Sequence, residues 1–470
     1  MAAMELHEIL KFFLPHELID NFDLVKIEEF DIDQGKGMNL HFDEKFNRPS
    51  SSLGKFFESK GFHKAMHIND FPIQNKKVKL CIRKRRWVDK QSHQIISKSY
   101  DFKHTGTSYS KGLASFLKAE LDNHPVSASS VARMVHIDGS QLSENHKEHL
   151  SNFHKWEQKD HCGKWIQFPN NLGEKLCLDE TSLSQGEVST ILTNAEAKTQ
   201  KGCLISIIDG TKSSDIIDTI SKIPLEERSK VKEVSVDMAN NMEKAAKQCF
   251  PNAKVVTDRF HVAKLVSDAV QDIRVGYRWE AIDEENENIK KAKKNQEQYV
   301  PETYSNGDTK KQLLARSRYL LFKSKSKWSK SQKERGRILF KEFPSIEKAY
   351  KLSMMLRNIY ETCESPDEAE ESYQKWKKAV YTKIDAEEKE IDRSEIKKDG
   401  KIKKRRGLNV FQTVMSSIEN HKETILNFFR NRSTNALAEC FNSKLKAFRN
   451  TFRGVRDLDY FLYRVSVLYS

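Results

Sequence analysis

The stretch VKEVSVDMANNMEKAAKQCFPNAKVVTDRFHV, residues 231–262, decides the fold. Two short apolar runs, Val234–Val236 and Val255–Val256, are bounded by turn-forming residues and read as strands, each running into an acid, Asp237 and Asp258. Between them NNMEKAAKQCF (240–250) has helical spacing. Upstream, SSDIIDTISKI (213–223) predicts another helix, and EKLCLDE (174–180), VSTILTNAEA (188–197) and KGCLISIIDG (201–210) predict three strands separated by turns. The order is β-β-β-α-β-α-β. Strands alternating with helices imply parallel pairing and a sheet covered on both faces, an α/β fold.

That order is the one found in ribonuclease-H-like domains. The expectation is therefore a core with a mixed five-stranded sheet flanked by helices, built from residues 170–262 and 430–470. Residues 263–429 are long, charged and helical, with runs such as KKAKKNQ and KSKSKWSK, and read as a large α-helical insertion domain. Residues 1–105 alternate short apolar stretches with turns, a small mixed domain. Within it VKLCIRKRRWV (78–88) reads as one strand with Lys79, Arg83 and Arg85 on one pleat face and Arg86 on the other. It is either a DNA-facing strand or a solvated basic edge strand that resists aggregation. In residues 106–160, SASSVARMVHIDGSQLSENHKEHL (127–150) reads as helix, glycine-containing turn, helix, with Ser127 and Asp138 as N-caps. This is either a helix-turn-helix, offering Ser140, Gln141, Ser143 and Asn145 to base edges in a major groove, or an ordinary helical hairpin.

The 470 residues carry 81 Lys+Arg against 67 Asp+Glu, and the net charge of +14 favours a polyanionic partner. The greasy start around Phe12 and Phe13 is broken by Pro15, far short of the ~18 apolar residues a membrane helix needs. No secretory leader is visible in MAAMELHEIL, so the chain is expected to stay inside the cell. Seven scattered cysteines with no C-x-x-C pair argue against a disulfide framework or a zinc ribbon.

Three acids fall where this topology gathers strand ends: Asp179 after Leu176–Leu178, Asp237 after Val234–Val236, and Glu439 on the helix that follows the insertion. That helix has an apolar stripe (Leu437, Phe441, Leu445, Phe448, Phe452) and a second face carrying Glu439, Asn442, Lys446, Arg449 and Arg453. One carboxylate beside a row of cations suits metal binding with a grip on phosphates. Carboxylates suit hard Mg²⁺ (or Mn²⁺), and two such ions per active site can serve an in-line phosphoryl displacement without a protein nucleophile. His261 either orients a metal ligand or contacts the scissile phosphate, or simply ties strand to helix.

The segments LDETS (178–182), VDMANNM (236–242), FPNAKVVTDRFHVAKL (250–265) and STNALAECFNSKLKAFRNTFRG (433–454) resemble bacterial insertion-sequence DDE transposases of the IS-L-three type, over roughly residues 107–470. The resemblance implies an Asp179–Asp237–Glu439 triad, a divalent metal, recognition of terminal inverted repeats in double-stranded DNA, and an α-helical insertion before the last acid. Asp258 and His261 fall in a motif close to the active site, and Asp258 either supports or replaces Asp237. The expected activity is hydrolysis at the element ends, followed by joining of the 3′ hydroxyl to target DNA, by a homodimer or larger assembly that pairs two ends. The rival readings are a structure-specific nuclease and a transposase-derived DNA-binding protein that no longer cuts. Longer relatives carry an N-terminal zinc finger, whereas this chain has only Cys81 before Cys162.

Overall fold

The computed structural model describes residues 8, 10–33, 35–49, 57–90, 92–184, 187–390, 407–452 and 457–470. The chain forms two compact units: Met1–Ile166 with Leu183–Gln185 and Asn442–Ser470, and Gln167–Ser182 with Gly186–Phe441.

In the first unit α1 (His16–Asn21) leads into strands β1 (Phe22–Ile32), β2 (Gly35–Glu44), β3 (Phe57–Phe62), β4 (Met66–Ile73), β5 (Lys76–Arg83), β6 (Arg85–Asp89) and β7 (Ile95–Ile96). They make a four-stranded sheet, β1-β2-β5-β4, and a three-stranded one, β3-β6-β7. The reading of 78–88 as one strand is corrected: β5 and β6 belong to different sheets. The reason is a change of partners: β5 pairs with β2 and β4, whereas β6 pairs with β3 and β7. Arg83 is clamped by Asp43 through Nε to Oδ1 at 2.6 Å and an Nη to Oδ2 at 2.5 Å. Arg85 donates from Nε to the Glu44 carbonyl at 2.8 Å and lies over the Phe46 and Phe62 rings.

Helices α2 (Lys111–Asn123), α3 (Ala128–Met134) and α4 (Gly139–Asn145) follow. Ser127 and Asp138 cap α3 and α4 as their types demand, accepting from the backbone N–H of Ser130 and Gln141. Leu113, Leu117, Leu121, Val131, Leu142 and Leu150 share one apolar cluster. Ser140 and Gln141 are exposed. Buried His146 is hydrogen-bonded to Asp122 at 3.0 Å and to the Tyr460 hydroxyl at 2.6 Å.

The second unit holds most of a six-stranded sheet in the order β13-β12-β9-β10-β11-β8, from β8 (Trp165–Gln167), β9 (Lys175–Ser184), β10 (Glu187–Asn194), β11 (Leu204–Asp209), β12 (Glu233–Val236) and β13 (Lys254–Thr257). The expected five strands are there; β8 is the sixth, too short at three residues to leave a period in the sequence. The β12 strand lies parallel to both β9 and β13. Helices α5 (Ser213–Ile220), α6 (Leu225–Arg228) and α7 (Asn240–Cys249) connect the strands.

The helical domain comprises α8 (Arg259–Lys294), α9 (Lys310–Arg316), α10 (Lys330–Glu342), α11 (Pro344–Thr362), α12 (Pro366–Glu390), α13 (Val410–Asn420) and α14 (Lys422–Asn431). Its apolar cluster runs from Val262 and Val266 through Trp328, Leu352 and Trp376 to Phe411 and Phe428. Asp308, with no exposed surface, holds it together at one end: it accepts from Arg335 Nε at 2.8 Å and from Arg316. Helix α14 covers the outer edge of the sheet. Asn427 Nδ2 donates to the Val255 carbonyl at 2.9 Å, and the Thr257 and Thr424 hydroxyls meet at 2.7 Å, so β13 presents no bare edge. The chain then enters α15 (Ala436–Asn450) and α16 (Leu458–Tyr469). Among the described residues no helix is long and apolar enough to cross a membrane.

Candidate active site

The register of the parallel strands builds the site. Val236 of β12 pairs with Leu178 of β9 on one side and Thr257 of β13 on the other. The residue that follows each of these three is an aspartate, so Asp179 within β9 and Asp237 and Asp258 just past the ends of β12 and β13 stand level. Asp179 is not at a strand end as expected, because β9 continues to Ser184. Glu180 is turned to the Asn241 amide at 3.3 Å.

The fourth acid arrives through a hydrogen bond. The Asn435 backbone N–H, buried just before α15, donates to Asp258 Oδ1 at 3.3 Å. This fixes the start of the helix, and Glu439 one turn later comes within reach: ligand atoms of Asp258, His261 and Glu439 all lie within 4.8 Å of one another. His261, in the first turn of α8, puts Nε2 2.7 Å from Asp237 Oδ1.

Four carboxylates thus face one imidazole, and the electrostatics record the crowding. Burial first, and then the charge of Asp237, push Asp179 up to about 6. Burial raises Asp258, against the Asn435 hydrogen bond and His261. His261 is raised chiefly by its bond to Asp237. The donor set is hard oxygen with a single imidazole nitrogen, and its excess of negative charge is what a Mg²⁺ or Mn²⁺ ion would neutralise, so these residues fit a divalent cation.

Of the other expected residues, Asn442 is buried on α15, Lys446 is exposed and Arg449 half-buried. Arg453 lies outside the described residues. The sequence reading passed over Asn435 as a positioning group, although it opens the N-x-x-x-E-x-x-N motif. It also passed over Phe260, whose only signal in the sequence was a large apolar side chain between Arg259 and His261, and which the structure leaves 55% exposed.

A mixed sheet flanked by helices, with acids gathered at one level, is compatible with a ribonuclease-H-like α/β core. The model of the DDE transposase family of the IS-L-three type, described as a transposase, matches residues 176–465. The chain belongs to that family, and DNA is the substrate the family implies. No curated protein matches the sequence.

Proposed function

We propose that the protein binds the terminal inverted repeats of its own insertion sequence, cuts the ends by metal-dependent phosphodiester hydrolysis and joins the freed 3′ hydroxyl to target DNA. The observation that carries this is the level placement of Asp179, Asp237 and Asp258, with Glu439 brought to them by α15. Asp179, Asp237 and Glu439 are the proposed holders of Mg²⁺ or Mn²⁺, two per site, and Asp258 is the nearest addition to that set. When bound, such ions stabilise the attacking and leaving oxygens of an in-line displacement.

The chain's own groups have separate tasks. His261 fixes the orientation of the Asp237 carboxylate. Asp258, through the Asn435 N–H, holds the first turn of the Glu439 helix in place. Lys446 and Arg449 continue that helix as phosphate contacts, and Ser140 and Gln141 at the exposed start of α4 are the proposed base readers. Arg83 and Arg85, engaged by Asp43 and Glu44, are left out of the proposed DNA surface. At least a dimer is needed to pair two ends.

The test is Mg²⁺-dependent cleavage of labelled DNA carrying the inverted repeats that flank the gene, comparing wild type with D179N, D237N, D258N and E439Q. Loss of cleavage in D179N, D237N and E439Q with DNA binding retained supports the reading, and D258N decides whether Asp258 belongs to the ligand set. Cleavage without joining of a pre-cut end would make the protein a nuclease. No cleavage of any end by the wild type would make it a DNA-binding relative of transposases.

A further inference from the structure

Beside the acids opens a cavity of about 820 Å³, with Asp258 and Glu439 in one wall and residues of the first turns of α8 and of the C-terminal half of α11 in the others. That volume is inside the ~300–1,000 Å³ range of sites that enclose small ligands. It is large enough for a single nucleotide.

Three features set the chemistry of the occupant. Away from the acid wall, Arg259, Lys264, Arg357 and Arg432 outnumber Asp268 and Glu361, so a phosphate is welcome there. Phe260 holds its ring 55% exposed in the lining, immediately after Arg259 and edge-on to the His261 imidazole at 5.6 Å. An exposed ring between cations is how proteins stack single-stranded bases without reading their sequence. Tyr360 of α11 is only 3% exposed, yet its hydroxyl has no hydrogen-bond partner among the described residues. A buried, unpaired hydroxyl beside a cavity is a group whose missing partner a water, an ion or a ligand can supply.

We propose that this cavity receives one unstacked nucleotide of the strand being cut, its base resting on Phe260 and its polar edge meeting the Tyr360 hydroxyl, so that the adjoining phosphate is delivered to the acids. The inference rests on the transposase reading above and adds to it a requirement: the duplex opens by one base next to the cut. Phe260 acts as a positioning residue, and the selectivity is for an unpaired nucleotide over a paired one.

The experiment uses the full chain with Ca²⁺ replacing Mg²⁺, and a short duplex bearing a single unpaired 2-aminopurine nucleotide at its 3′ end. Binding is followed by anisotropy and stacking by 2-aminopurine emission. The expected result is quenching of several-fold on binding, lost in Phe260→Ala and kept in Phe260→Trp. Tyr360→Phe removes only an unpartnered oxygen, leaves the packing intact, and should weaken the overhang duplex about two- to tenfold relative to a blunt one. Binding without a Phe260-dependent quench, or equal affinity of the Tyr360→Phe variant for overhang and blunt duplexes, overturns the inference. Mg²⁺-dependent cleavage of element ends, scored on the same preparations, keeps the two ideas apart. Cleavage without the quench refutes the cavity and spares the transposase reading, and the quench without cleavage does the reverse.

Discussion

The replacement of Asp179 by asparagine should make the metal-free protein more stable while abolishing DNA cleavage. Asp179 is 7% exposed, and burial with the neighbouring charge of Asp237 lifts its carboxyl to about 6, against an ordinary value near 3.9. A shift of about 2 units at about 1.4 kcal/mol per unit gives roughly 3 kcal/mol. The sign follows from which state holds the proton. A carboxyl raised on folding contributes stability that is fully present below about pH 4 and is lost as pH rises through about 6, so at pH 8 the whole amount is missing. Asparagine carries no charge to lose, and its carbonyl can still accept the Glu180 N–H now held at 2.8 Å. In EDTA at pH 8 the variant should therefore exceed wild type by about 2–3 kcal/mol, roughly 5–10 °C in melting temperature for a unit of this size. The difference should vanish near pH 4. Mg²⁺ should raise the wild type and close the gap from the other side. Calorimetry at the two pH values, with and without Mg²⁺, reads all of this. A variant that melts at or below wild type at pH 8 in EDTA, or a gain that is equal at both pH values, would refute the account of charge crowding.

Two further outcomes are expected. His261→Ala removes the group 2.7 Å from Asp237 Oδ1 and should raise the Mg²⁺ concentration for half-maximal cleavage about 10–100-fold; an unchanged Mg²⁺ titration curve contradicts the orienting role. Asp308→Ala strands Arg335, whose side chain is 17% exposed, and frees the more exposed Arg316, so the helical domain should lose about 3 kcal/mol, read as a lower urea midpoint; a midpoint within error of wild type rules out Asp308 as a structural anchor.

The six-stranded sheet was legible because its strands are short, apolar and punctuated. Val234–Val236 and Val255–Val256 are flanked by polar turns, and helix α7 between them keeps a clear period. What periodicity does not carry is register. That Asp258 stands level with Asp237 and Asp179 depends on Val236 pairing with Thr257 and Leu178, a long-range fact to which no local pattern corresponds. The contact between Asn435 and Asp258 was hidden for the same reason, since it joins groups 177 residues apart. In the N-terminal region the miss was of another kind. The unbroken basic run Arg83–Lys84–Arg85–Arg86 gives no break in the sequence, and only the assignment of β5 and β6 to two sheets separates them.

The Asn435–Asp258 bond also sets a clock. Until the ribosome has passed Asn435 and the helical domain has folded behind it, Asp179, Asp237 and Asp258 stand in their sheet without Glu439. At about 5–20 residues per second, the 177 residues between the two partners amount to roughly 9–35 s of synthesis. A nascent chain that has not reached Asn435 therefore lacks both the Asp258 contact and Glu439. Because Glu439 comes from beyond the insertion, a truncated product ending anywhere inside it lacks one of the proposed metal-holding residues together with the Asn435 contact to Asp258.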